Sequence, residues 1–420
     1  MSRRLPVLII CAAFQLAACQ HTPAWDGSLE KLLESQPERF ATVMKDPQRY
    51  RVQIIYTRID RDAANNPSFR SYSYRLNKDE YFYPASTVKL PTALIALETL
   101  NRLGVPRDAG MFTGKAADFQ TVAITDESAP SGLPSVEHYI RKILLVSDND
   151  AFNRLYELIG QGPLNEALSR HGLTDSRIVH RLETVLSTEQ NRLTNPVDFV
   201  VDGKAVYEQE AAYSEVSYVG EKEQLLGLAE IVEGKRLERP KDFSVKNAYP
   251  LQDQHDLLLA LLFPEAVDEN RRFDISAEDL SFVYRWMSTY PGESGIPQYA
   301  DAQEYPPGYV KFLMYEGKAG AVDDNIRILN KVGDAYGFLT DAAYIVDFEN
   351  GVEFLLAATI YTNDNQTFND GEYEYDTIGL PFLRDLGQAV YELELARPRL
   401  HRPDLSRFRF DNRGIVKGEK

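Results

Sequence analysis

Apolar and polar residues change their period several times along the chain. Over 27–45, Leu29, Leu32, Leu33, Phe40 and Val43 recur near helical spacing and predict an amphipathic helix. Val52, Ile54 and Tyr56 then alternate with Gln53, Ile55 and Thr57. Ser71–Leu76 follows an Asn65-Asn66-Pro67 turn, which predicts a hairpin with one apolar face. From Thr87 to Leu103 the pattern is helical, and helices are expected to dominate to about residue 199. Strand-like alternation returns over 205–218, a helical pattern over 222–233, and another helix over 277–289. Residues 326–331, 336–348 and 352–362 predict three adjacent strands, and a last helix follows over 380–395. Two early strands and three late ones bracket a helical middle. This predicts one discontinuous α/β domain whose sheet is closed by both ends of the chain.

The two ends differ from this body. Arg3 and Arg4 precede the apolar stretch 5–14, which is too short to span a bilayer as a helix and ends in Leu16-Ala17-Ala18-Cys19. Small residues before a cysteine resemble the bacterial lipobox, which implies a signal peptide over 1–18, a lipid on Cys19 and a linker over 19–26. Gln20, rather than Asp, after the cysteine implies an exported protein anchored in the outer membrane and facing the periplasm. Cys11 and Cys19 are the only cysteines, so the processed chain keeps no thiol for a disulfide. At the other end, 396–420 carries more Arg and Lys than Asp and Glu with little apolar periodicity. It reads as a basic, partly ordered tail, more simply a surface extension than a functional element.

Composition narrows the function. The chain of 420 residues is 44% hydrophobic and 26% charged, an ordinary globular balance. Its net charge of −17 argues against a nucleic-acid partner, which requires a positive face. His138, His171, His180 and His255 show no metal-ligand spacing, so no metal is expected.

Three short segments carry chemistry. In Tyr83-Pro84-Ala85-Ser86-Thr87-Val88-Lys89, a serine at a helix start meets unpaired N–H groups, and Lys89 lies one turn later on the same face. A weak hydroxyl nucleophile needs such a neighbouring base. Ser147-Asp148-Asn149 reads by itself as a loop or helix cap, and Lys331-Val332-Gly333 as a strand end. In this order they match S-x-x-K, S-D-N and K-T-G, and the chain resembles class A β-lactamases within the penicillin-recognising superfamily. The 61-residue gap between Ser86 and Ser147 and the run Gly172-Leu173-Thr174-Asp175 extend the likeness over about 50–200 and 275–395.

The resemblance implies a β-lactamase/transpeptidase-like α/β fold: a five-stranded antiparallel sheet flanked by helices, with a helical subdomain between the two parts. The domain is expected over 27–395, with an insertion at about 200–255 that either walls the cleft or ornaments it. The resemblance also implies a serine hydrolase without a cofactor that works through an acyl-enzyme on a β-lactam or a related amide. Ser86 is the expected nucleophile, Lys89 its base and Ser147 the proton relay. Asn149, Lys331, Gly333 and Asp334 are expected to bind substrate, with the N–H groups of Ser86 and Asp334 forming an oxyanion hole. Arg181-Leu182-Glu183-Thr184 resembles the loop whose glutamate activates the deacylating water, so Glu183 completes the catalytic set. The chain departs from the pattern at Ser187, where the family has an asparagine, and at Val332, where it has a threonine. Asp334 adds a carboxylate that repels an anionic ligand. Two other readings stay open: a cell-wall D,D-peptidase or esterase of the same superfamily, and a non-catalytic lipoprotein that binds peptidoglycan. The expected partners are a β-lactam or peptidoglycan-like small molecule, and a membrane only through the lipid.

Overall fold

The computed structural model describes residues 27–220, 223–318, 320 and 322–412. The signal peptide and Cys19 lie outside the described residues, as does the tail beyond 412.

Five strands form the main sheet: β1 (Gln53–Arg61), β2 (Pro67–Tyr74), β3 (Ile326–Ala335), β4 (Phe338–Asp347) and β5 (Val352–Tyr361). Their order is β3-β4-β5-β1-β2, with every neighbouring pair antiparallel. The chain's two ends thus meet where β5 pairs with β1. Strands β4 and β5 are buried along nearly their whole length because helices cover both faces, which explains their continuous apolar runs. Successive residues divide between two cores: Tyr344 and Leu355 join one, and Ala343 and Leu356 the other. The first core holds α1 (Lys89–Leu103), α2 (Val136–Val146), α3 (Asn149–Ile159) and α4 (Leu251–Leu262). The second packs under α5 (Leu380–Ala396). No helix among the described residues is long and apolar enough to cross a membrane.

Several local expectations give way to the fold. The helix expected over 27–45 is two, Leu29–Glu34 and Pro37–Met44, because Pro37 has no N–H to continue the first and starts the second instead. The second hairpin strand begins at Pro67 rather than Ser71. Residues 222–233, read as helical, contain the short strands Leu225–Leu226 and Ala229–Val232; the latter pairs with Lys235–Leu237 and Thr367–Phe368. Gly227, at φ 73°, turns between them where a Cβ would come within 2.6 Å of Phe368. Of the alternation over 205–218, only Lys204–Gln209 forms a strand.

The segment from 397 to 412 is packed rather than loose. Leu405 and Phe408 are buried in the first core, Phe408 against Tyr344 and Phe263. Arg397 and Arg399 both pair with Glu394, a carboxylate that is otherwise fully buried.

Candidate active site

The nucleophile candidate sits on a tight turn. Ala85 has φ 45°, costly for a residue with a side chain, and Ser86 follows within the 3₁₀ turn Ala85–Val88 that feeds α1. Strand β3 runs against this turn. A Cβ on Gly333 would stand 2.4 Å from the Pro84 carbonyl and 3.0 Å from the Ser86 nitrogen, so only glycine admits this approach. Lys331-Val332-Gly333 therefore lies inside a strand that continues to Ala335, not at a strand end.

The backbone supplies donors there. The two-residue turn Tyr336-Gly337, with both φ angles positive, closes β3 and β4 on Ala335 and Phe338. Ladder pairs then fall at 335, 333 and 331, and the N–H of Asp334 points away from β4 along the sheet's free edge. Together with the Ser86 N–H it can serve an oxyanion.

Ser147 ends α2 with φ 59°, and Asp148 caps α3 by accepting the Ala151 N–H at 2.7 Å. This junction turns Ser147 and Asn149 toward Lys89. The Lys89 ammonium, fully buried, donates to the Ser147 carbonyl, to Ser147 Oγ at 3.2 Å and to Asn149 Oδ1 at 2.5 Å. Lys331 Nζ reaches the same Ser147 Oγ at 2.8 Å and donates to the Val332 carbonyl at 2.9 Å. Ser147 Oγ thus bridges two lysines.

Burial, and next the Lys331 charge, hold the Lys89 amine well below the ordinary lysine range. Burial pushes Lys331 down to about 7, against the pull of Asp334 and Asp341. The Asp334 carboxyl is pushed up by desolvation and pulled back by Lys331 and Lys89. Its side chain reaches solvent, so water screens much of both effects.

Ser86, Asn149, Glu183 and Asp334 line one cleft of about 370 Å³. A larger cavity of about 450 Å³, between Arg51, Tyr361 and Gln366, contains none of the motif residues. The loop carrying Glu183 is anchored by residues the motifs do not mark. Asn153 accepts the Leu182 N–H at 2.8 Å and donates to the Leu182 carbonyl at 3.0 Å. Arg181 forms a buried ion pair with Glu157 at 2.8 Å. Glu183 itself has φ 51° and is exposed, with no hydrogen bond or ion pair among the described residues. Ser187 caps the helix Thr188–Asn191, its hydroxyl accepting the Gln190 N–H.

Part of the segment 200–255 also reaches the cleft. Phe243 is buried among Tyr81, Tyr83, Tyr336 and Phe368, and Lys246 lines the cleft beside His180 and Tyr336. No motif marked Lys246, and its position follows from tertiary packing alone.

Residues 39–219 match the family described as "Beta-lactamase enzyme family". No curated protein matches the chain. Among solved structures, a β-lactamase from Sphaerobacter thermophilus is 15% identical, with a TM-score of 0.46 over 88% of this chain and 98% of that one. PBP-A is 16% identical, at 0.49 over 87% and 96%. A β-lactamase from Burkholderia vietnamiensis is 15% identical, at 0.48 over 90% and 100%.

Proposed function

We propose that this chain, which resembles the β-lactamase enzyme family across residues 39–219, is a serine hydrolase that cleaves a β-lactam or related amide through an acyl-enzyme. The observation that carries the proposal is the buried Lys89 amine, held by Ser147 and Asn149 one helical turn from Ser86. Burial lowers the affinity of this amine for a proton, which moves a lysine toward the range of a general base.

In this mechanism Ser86 Oγ attacks the carbonyl carbon and its proton passes to Lys89. The oxyanion rests on the N–H groups of Ser86 and Asp334. Ser147, bridged to both lysines, relays a proton to the leaving nitrogen as the amide bond breaks. Lys331 supplies positive charge for an anionic substrate group. Glu183 then takes a proton from water, which attacks the Ser86 ester, releases the acid and restores the hydroxyl. The same proposal anchors the exported enzyme by a lipid on Cys19, at the outer membrane facing the periplasm.

A second reading draws on one observation. Glu183 stands exposed without a partner among the described residues, and the Ser187 hydroxyl accepts the Gln190 N–H in a helix cap, so no neighbouring side chain fixes the Glu183 carboxylate in place. That arrangement suits a peptidase or esterase of the same superfamily with slow lactam turnover.

One experiment separates the readings: labelling by a fluorescent penicillin over time, beside Ser86→Ala and Glu183→Gln. A label that requires Ser86, decays, and persists in Glu183→Gln is the expected result. A Ser86-dependent label that never decays favours the second reading, and no label at all removes the β-lactam proposal.

A further inference from the structure

The cleft contains a cation that the proposed mechanism does not use. Lys246, from the insertion, lines the same cleft as Ser86 and Asn149, and its ammonium is the charge felt most strongly by the neighbouring His180 ring. Among the described residues nothing accepts a hydrogen bond or ion pair from that ammonium. The other positive groups nearby are engaged or neutral. Arg181 is paired with Glu157, and Lys89 and Lys331 donate to Ser147. Burial holds His180 down at about 3, so its ring is neutral. Glu230, the carboxylate that acts on Lys246, is itself paired with Arg239 and Lys241.

A half-buried ammonium beside the like charge of Lys241, with no carboxylate of its own, is unfavourable in the empty protein. An anionic ligand group removes that penalty. Along β3 the site is less hospitable to anions than the family pattern implies, because Val332 offers no hydroxyl and Asp334 presents a carboxylate. Charge in the cleft is therefore uneven, with carboxylates at Asp334 and Glu183 and a cation at Lys246, and such unevenness selects substrates by charge placement.

Resting on the serine-hydrolase reading above, we propose that Lys246 is a specificity residue, and that the preferred acyl donor carries a carboxylate on its acyl-side substituent, seated against Lys246 near His180 and Tyr336. The insertion is then a charge-selecting wall of the cleft.

The test compares acylation of the soluble protein by two penicillins that differ by one carboxylate, benzylpenicillin and carbenicillin. The readout is the ratio of their second-order acylation rates. The carboxylated compound is expected to react at least about five-fold faster, the effect of one partly screened charge pair. The ratio should fall toward one in Lys246→Met, invert in Lys246→Glu and be retained in Lys246→Arg. Added salt should lower it in the unaltered protein. A ratio at or below one in the unaltered protein, or one that Lys246→Met leaves unchanged, overturns the inference while the hydrolase reading stands. If neither penicillin acylates the unaltered protein, the β-lactam reading fails and this inference falls with it.

Discussion

At the residue scale the site depends on Lys89, whose surroundings oppose its charge. The amine has no solvent exposure, and Lys331 approaches the same Ser147 hydroxyl. Lys89→Met is therefore expected to slow acylation by about 10²–10⁴-fold, the usual weight of a general base. Its melting temperature should stay level or rise, because a desolvated amine is replaced by an apolar chain of similar length. The pH profile carries a sign. A lowered amine pKa means that the free base appears well below the ordinary 10.5, so acylation rises with pH through that depressed value. Lys331, down at about 7, loses its charge as pH rises through that value, and attraction for an anionic substrate goes with it. A bell-shaped acylation profile that falls before pH 10 is expected. A rate still climbing at pH 10 would contradict the arrangement.

At the scale of elements, the decisive contact is β3 against the turn that carries Ser86. The contact exists because Gly333 has no side chain, so Gly333→Ala forces the strand and turn apart by the space of a methyl group. The N–H groups of Ser86 and Asp334, proposed as oxyanion donors, sit on the two sides of that contact. A misplacement on the order of 1 Å costs about 10²-fold, so acylation should fall by about that factor or more. Circular dichroism and gel filtration should remain those of the folded protein. Full acylation by Gly333→Ala would show that the close approach is not needed. The Glu183 loop is a contrasting element: its root at Leu182 is clamped twice by Asn153, while Glu183 itself makes no hydrogen bond or ion pair among the described residues.

At the scale of the whole molecule, the sheet is closed by strands from both ends, and the segment after α5 seals the arrangement. Phe408 fills a gap between Phe263, Tyr284 and Tyr344, joining α4, the helix Ala277–Ser288 and β4. Phe408→Ala is expected to cost about 3–5 kcal/mol in urea unfolding, as for any large aromatic removed from a core. A change below about 1 kcal/mol would return 397–412 to the status of a surface extension. The basic character of this segment also changes meaning. Arg397 and Arg399 neutralise Glu394, which also bonds the Tyr56 hydroxyl beneath the sheet.

The chain by itself determined the five strands of the main sheet and the residue types and order of its three motifs, because both are carried by local spacing. The strands Gly110–Thr113 and Val197–Val201, by contrast, interrupt the helical run expected to about residue 199. Alternation marks a strand, and three residues along a helix put Lys89 on the Ser86 face. Where a local pattern competed with packing, as in 222–233, the strand partner at Thr367–Phe368 decided the outcome. Tertiary structure alone decided that Gly333 meets Pro84, that Asn153 holds Leu182, that Lys246 enters the cleft and that Phe408 belongs to the core. It also decided that Lys89 is disfavoured as a charge. Each of these depends on burial or on contact between segments far apart in the chain, and no short stretch of sequence contains either.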